Sequence, residues 1–383
     1  MRFSTTRLLT AAAAALAALV LLAPAALAQT APWSLVTSPN ASPGNNQLNA
    51  VASITASDVW AVGSAENSLG NDQPLAEHWN GTAWAVVATP AVVTGTFSGV
   101  AAISSTDVWA GGGFLLSSRG NTAQFEHWNG RKWSVAKSPA VSGASISGMA
   151  AVSATDVWAV GRSLTSTGVA QTLIEHWNGR NWSVVTTPNA SAQNNLLAGV
   201  TAISANDVWA VGDFQTTSGA GTVFQTLTEH WNGTAWSIVA SPNGVGPGAG
   251  LNGVAAVSAS DVWAVGDSGS GTLIEQWNGT SWAVVPSPNP STAVFNTLSG
   301  AAVISASDIW AVGQSRNSSG IPATLIEQWN GTSWTIVTSP APGSASQLSG
   351  ASADPASGQA WAVGNSTPAA AGSATQTLTE FNP

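Results

Sequence analysis

This sequence predicts an all-β fold: a seven-bladed β-propeller with four antiparallel strands per blade. Three observations carry that reading. One hexad recurs seven times, each copy lies among four short apolar runs, and the two chain ends each hold part of one repeat. The hexad is Asp58-Val59-Trp60-Ala61-Val62-Gly63, with copies opening at Asp107, Asp156, Asp207, Asp261 and Asp308 and a weaker seventh from Gln359 to Gly364. Its Trp residues are 60, 109, 158, 209, 263, 310 and 361, spaced by 49, 49, 51, 54, 47 and 51. Repetition at such a period is the mark of a blade or solenoid unit.

The strands follow in order within a repeat. Around Trp158 the first run is Ile146 to Val152, and Ser153-Ala154-Thr155 links it to the second, Asp156 to Gly161. A longer polar stretch leads to the third, Thr172 to Trp177, and Asn178-Gly179 leads to the fourth, Trp182 to Thr186. Short runs rich in Val, Ile and Trp suit strands. Asn-Gly between two of them predicts a tight hairpin of type I′, in which both residues take positive φ. The sequons at these turns, such as those opening at Asn80 and Asn232, read as turn chemistry rather than glycan sites.

The ends predict how the ring closes. Trp33 to Pro39 reads as a lone fourth strand, and Gln376 to Phe381 as a lone third strand. Joined, they complete the seventh blade and remove an open sheet edge. All 20 Trp fall into place: seven in hexads, seven opening fourth strands (33, 84, 133, 182, 236, 282, 334) and six ending third strands (79, 128, 177, 231, 277, 329). Phe381 stands near the missing one, a residue out of register.

Residues 1–28 read as a secretory signal peptide. Arg2 and Arg7 precede an apolar run from Leu8 to Leu22, and Ala26-Leu27-Ala28 forms a small-x-small cleavage pattern before Gln29. The domain expected is then 29–383, a secreted or cell-surface propeller, monomeric, with no membrane span after cleavage. Charged residues are 7% of the chain and the net charge is −9, which argues against a nucleic-acid partner. Without Cys there is no disulfide framework and no thiolate metal site.

The order of Trp158-Ala159-Val160-Gly161, Trp177, Trp182 and Pro188 resembles the kelch-type propellers, the class that includes the central domain of galactose oxidase. The likeness runs through all seven repeats and is nearest to the Trp-rich propeller repeats of secreted bacterial proteins. It departs from the pattern where the Gly doublet is single in most repeats and where the kelch Tyr is a Trp. Galactose oxidase chemistry does not carry over, because its tyrosyl and cysteinyl groups need residue types absent here. Sialidases resemble the chain only in blade number. They need a Tyr nucleophile and an arginine cluster, whereas Arg119, Arg131, Arg162, Arg180 and Arg316 are the only arginines after residue 28.

The remaining polar groups recur once per blade, which points to architecture. The hexad Asp residues are expected to accept backbone N–H groups in Asx-type turns. Glu77, Glu126, Glu175, Glu229, Glu275, Glu327 and Glu380, in the third strand, need donors from indole or backbone N–H. His78, His127, His176 and His230 share one position, taken by Gln276 and Gln328 in two other blades, and are too far apart for one metal. No catalytic residue, metal or cofactor is expected. The residue after each hexad changes: Ser64, Gly113, Arg162, Asp213, Asp267, Gln314, Asn365. These are expected to ring one channel mouth, with Phe114 and Phe214 beside them to stack on a ligand. The candidate ligand-binding set is Arg162, Asp213, Asp267, Gln314, Asn365, Phe114 and Phe214. The function expected is a non-enzymatic binding scaffold for a carbohydrate or protein on the long-loop face. The alternatives are a glycan-active hydrolase or lyase using Asp213 and Asp267, and a structural repeat protein of the envelope.

Overall fold

The computed structural model describes residues 33–116, 120–219, 221–245, 248–269, 271–290 and 294–383. The stretch expected to be a signal peptide, 1–28, lies outside them. Seven four-stranded antiparallel sheets form a ring. Blade 1 consists of Asn46–Thr55, Asp58–Glu66, Asp72–Trp79 and Trp84–Val86. Blades 2, 3 and 6 repeat the order from Thr94, Ser145 and Phe295. Blade 4 is Asn195–Ser204, Asp207–Ser218, Gly221–Trp231 and Trp236–Ile238. Blade 5 is Ala249–Ser258, Asp261–Ser268, Gly271–Trp277 and Trp282–Val284. Blade 7 takes Ala345–Asp354, Gln359–Thr367 and Gln376–Asn382 from the C-terminal end and Ser34–Leu35 from the N-terminal end.

That closure follows the sequence reading. Ser34 pairs with Phe381 and Leu35 with Glu380, and the Val36 N–H donates to the Thr379 carbonyl at 3.0 Å. Phe381 faces Trp361, so it holds the place His or Gln has in other blades, one residue from the Trp place.

The core lies between blades rather than within them. Six of the hexad Trp residues are buried against two outer-strand Trp residues of the following blade, and Trp310 against one. Trp209 of blade 4 lies 4.8 Å from Trp277 and meets Trp282 edge-on at 5.2 Å. Trp361 does the same with Trp79 and Trp84 of blade 1, and Trp310 meets Trp33 at 5.2 Å. Edge-to-face pairing matches the positive ring edge to the negative face.

Toward the axis each first strand carries a bulge. In blade 4 the pairing skips Ala198, between Leu197 and Gly199, and the same skip recurs in all seven blades. Glycine beside the bulge lets neighbouring first strands touch: a Cβ on Gly199 would stand 3.0 Å from the Asn252 carbonyl oxygen of the next blade. The bulge also tips a carbonyl over the hexad glycine, so a Cβ on Gly212 would meet Leu196 O at 2.0 Å. This explains the fixed last residue of the hexad.

The Asn-Gly turns differ from the type I′ expectation. Trp79 pairs with Trp84, leaving a four-residue loop. Among the described residues only glycines take positive φ, Gly81 at 90°. The Asn80 side-chain oxygen accepts the N–H groups of Thr82 and Ala83 at 3.0 Å each, capping the loop without needing positive φ itself.

Gly212→Ala is expected to lower unfolding stability by about 3 kcal/mol through forced strand displacement. A denaturant midpoint equal to that of the parent protein would contradict the close approach.

Candidate functional site

The short-turn face repeats one contact in six blades. Asp58 Oδ1 lies 2.8 Å from His78 Nε2, and the same pair forms at Asp107–His127, Asp156–His176 and Asp207–His230. Gln276 and Gln328 donate to Asp261 and Asp308 at 2.9 Å. The Asp partner is thus a third-strand side chain, not the backbone N–H expected of an Asx turn. Each His ring also stacks on its own hexad Trp, as His176 does on Trp158 at 4.2 Å. The His residues are held separately, and among the described residues no three His, Asp or Glu gather to hold a metal.

The repeated Glu residues are fully buried at the blade boundaries. Glu77 accepts the Ser38 hydroxyl at 2.6 Å and Glu380 that of Ser339 at 2.9 Å, while Thr187 donates to Glu229. The donor belongs to the preceding blade, in the Ser/Thr-Pro link after its fourth strand. The expected indole donors go elsewhere: Trp79 Nε1–H donates to the Ala56 carbonyl at 3.3 Å. Burial pushes Glu77, Glu126, Glu175 and Glu229 up to about 7, and Glu275, Glu327 and Glu380 up to about 8.

The long-loop face is where the blades differ. Six of the positions after the hexads line clefts that open at three blade boundaries. Asn365 and Ser64 share a cleft of about 460 Å³ at the junction of blades 7 and 1. Gly113 and Arg162 share one of about 290 Å³ at blades 2 and 3. Asp213 and Asp267 share one of about 300 Å³ at blades 4 and 5. The Gln314 carboxamide oxygen accepts from Arg316 Nε at 3.2 Å, and its pair partner Thr297 reaches Asp267 of the preceding blade. A narrower axial cavity of about 150 Å³ is lined by first strands of all seven blades.

Neither predicted stacking ring stands open. Phe114 is 2% exposed and packs on Phe97 at 5.8 Å, inside the core shared by blades 1 and 2. Phe214 is partly buried in the core shared by blades 3 and 4. Alternation along the strand explains both: Gly113 and Asp213 face the following blade, so their neighbours turn back toward the preceding one.

The open aromatic is Phe224, 44% exposed, which sequence reasoning missed. The signal was the widest hexad spacing, 54 residues between Trp209 and Trp263. The extra residues do not form a loop; they extend the hairpin of blade 4 to strands of 12 and 11 residues. Phe224 pairs with Gln215 on that extension and lines the Asp213–Asp267 cleft. Asn252 and Thr297 were also missed: the Thr297 hydroxyl donates to Asp267 at 2.8 Å, and Asn252 Nδ2 donates to the Leu298 carbonyl at 2.9 Å. Burial, and then the charge of Asp267, push the Asp213 carboxyl up to about 6. Burial also raises Asp267, opposed by its bonds to Thr297 and Asn252.

The chain matches no protein-family model and no curated protein. It is similar in fold to solved propellers. One structure, of YCF48 bound to D1 peptide, is 14% identical over 93% of this chain and 96% of that one, with a TM-score of 0.56. YCF48 from Cyanidioschyzon merolae is 16% identical over 92% and 99%, at 0.56. The WD40 repeats of RRP9 are 10% identical over 92% and 97%, at 0.59. Among the described residues no helix is long and apolar enough to cross a membrane.

The Glu belt gives a signed pH dependence. Each raised carboxyl keeps its proton when folded and loses it when unfolded near 4.5. That contribution is complete below 4.5 and disappears as pH rises through 7 to 8, so stability falls with pH across this window. The melting temperature is expected to be higher at pH 5 than at pH 8.5, and Glu275→Gln is expected to flatten the slope. A melting temperature that climbs from pH 5 to 8.5 would contradict the assignment.

Proposed function

We propose that the chain is exported after removal of residues 1–28 and serves as a non-enzymatic scaffold that binds a protein segment on its long-loop face. The observation that carries this reading is the sorting of exposed apolar side chains. Among the described residues Leu69, Val93, Leu115, Leu164, Phe224, Val245, Val294 and Ile321 are exposed on the long-loop face, against Val152 alone toward the short turns. Seven more, from Leu35 to Ile336, lie one per blade on the outer strands and follow the repeat. Aliphatic groups scattered over separate clefts suit a protein partner more than a sugar, which prefers stacked aromatic faces and dense hydrogen-bond donors. Rigid scaffolds with variable links place recognition on those links. The kelch-like order of Gly, Trp and Pro in each repeat supports the scaffold and leaves the ligand to the links. The structure of YCF48 with a D1 peptide is an instance of the fold holding a peptide.

A second reading, a hydrolase or lyase, is favoured by one observation: Asp213 and Asp267 share a cleft, with Asp213 raised to about 6. It needs turnover of a glycan that stops in Asp213→Ala.

Secreted chain, whose mass is expected to start at Gln29, is tested against a random peptide display library, a glycan array and a glycosidase panel. Peptide binders are expected, weakened about tenfold or more by Leu115→Asp with Leu164→Asp and unaffected by Val152→Asp. Glycan binding without peptide binding, glycan turnover, or a retained leader would overturn the corresponding part of the proposal.

A further inference from the structure

We propose that the cleft between blades 4 and 5 receives a lysine or arginine side chain of a protein partner, with an apolar neighbour of that residue resting on Phe224. The inference rests on the protein-binding reading of the long-loop face and adds what occupies one place on it.

The cleft is built by a missing side chain. Position 250 pairs with Asp267 and faces Asp213, and a Cβ placed there would stand 3.6 Å from Asp213 Oδ2. Other blades fill the same position with Gln47, Thr96, Ser145, Leu196, Thr297 or Gln347. Gly250 therefore leaves two carboxylates from adjacent blades facing one open space. At about 300 Å³ that space is at the lower end of ligand pockets, suited to one long side chain rather than a folded surface.

The charge is uncompensated. No Lys or Arg occurs between Arg180 and Arg316, a stretch that contains all of blades 4 and 5. His230, the one basic group within it, is bound to Asp207 on the opposite face. Asp213 has no hydrogen-bond partner among the described residues; Leu196 and Thr226, its pair partners on either side, are uncharged. Asp267 is the other titratable group lining the cleft, and its bonds are to the uncharged Thr297 and Asn252. Two like charges in a half-dry site favour any cation that enters, because it removes their mutual repulsion.

The apolar half of the specificity comes from the extended hairpin. Phe224 stands beside the acids with its ring 44% exposed, and Val245, 91% exposed, sits on the link whose carbonyl accepts the Ser268 hydroxyl at 3.1 Å, next to Asp267. A stem of methylenes with a charged head matches a pocket that is apolar at the rim and acidic within. A bare metal ion would use the acids and ignore Phe224.

The test uses peptides enriched from the random display library on the full secreted chain. They are expected to carry Lys or Arg beside an apolar residue, and to lose about tenfold or more in affinity when that Arg is replaced by citrulline. Asp213→Asn and Asp267→Asn are each expected to weaken them about tenfold or more, Phe224→Ser severalfold, and Asp156→Asn, on the short-turn face, not at all. Melting temperatures of the Asn variants, expected near that of the parent protein, separate lost binding from lost folding. Enriched peptides without a cation, affinities untouched by Asp213→Asn, or displacement of the peptides by calcium alone with no effect of Phe224→Ser would each overturn the inference. Peptides sensitive to Leu115 and Leu164 but not to Asp213 would sink this inference and leave the protein-binding reading standing; an empty selection would sink the reading itself.

Discussion

Everything in this molecule depends on one packing unit, an indole from one blade wedged between two indoles of the next. A single blade of four short strands cannot bury its own faces, because its second strand is apolar on both sides. Trp60 and Val62 lie in the core shared with blade 2, while Val59 and Ala61 lie in the core shared with blade 7. The sheet is therefore stable only between neighbours, and the last blade must find the first. Burial of an indole is worth several kcal/mol gross. An unclosed ring would leave one full set of these faces in water, along with the strand edges beside them.

Closure frees the long-loop face to vary. The wedge, the Glu belt and the axial glycines each meet a neighbouring blade, so substitution there is felt across a boundary. The links that begin after the hexad glycine touch less and differ in every blade. The four His–Asp pairs and the two Gln–Asp pairs show the opposite behaviour, one hydrogen-bond geometry served by two residue types.

Much of this was legible from the chain alone. The repeat of Asp-Val-Trp-Ala-Val-Gly located the second strands, and the partial repeats at the ends located the closure, because both depend on strand period and spacing only. The role of the hexad Asp was misread because its partner, His78, lies 20 residues away in another strand. Phe114 and Phe214 were placed at the mouth because position along a strand is readable, whereas the neighbouring blade a side chain faces depends on the register set by the first-strand bulge. The Asn-Gly turn was misassigned for a related reason: Trp79 and Trp84 pair directly, which fixes the loop at four residues whatever its dipeptide prefers. Phe224 left a trace only as an unusual spacing.

The closure can be measured by a covalent link, since the natural chain has no cysteine. Ser34→Cys with Phe381→Cys places two thiols on directly paired residues separated by nearly the whole chain. Under mild oxidation the account predicts a near-complete intramolecular disulfide in the folded protein, none in denaturant at the same concentration, and a higher melting temperature than the reduced form. Absence of that disulfide in the folded protein, with either thiol alkylated as fast as in the unfolded chain, would contradict a ring closed by its two ends.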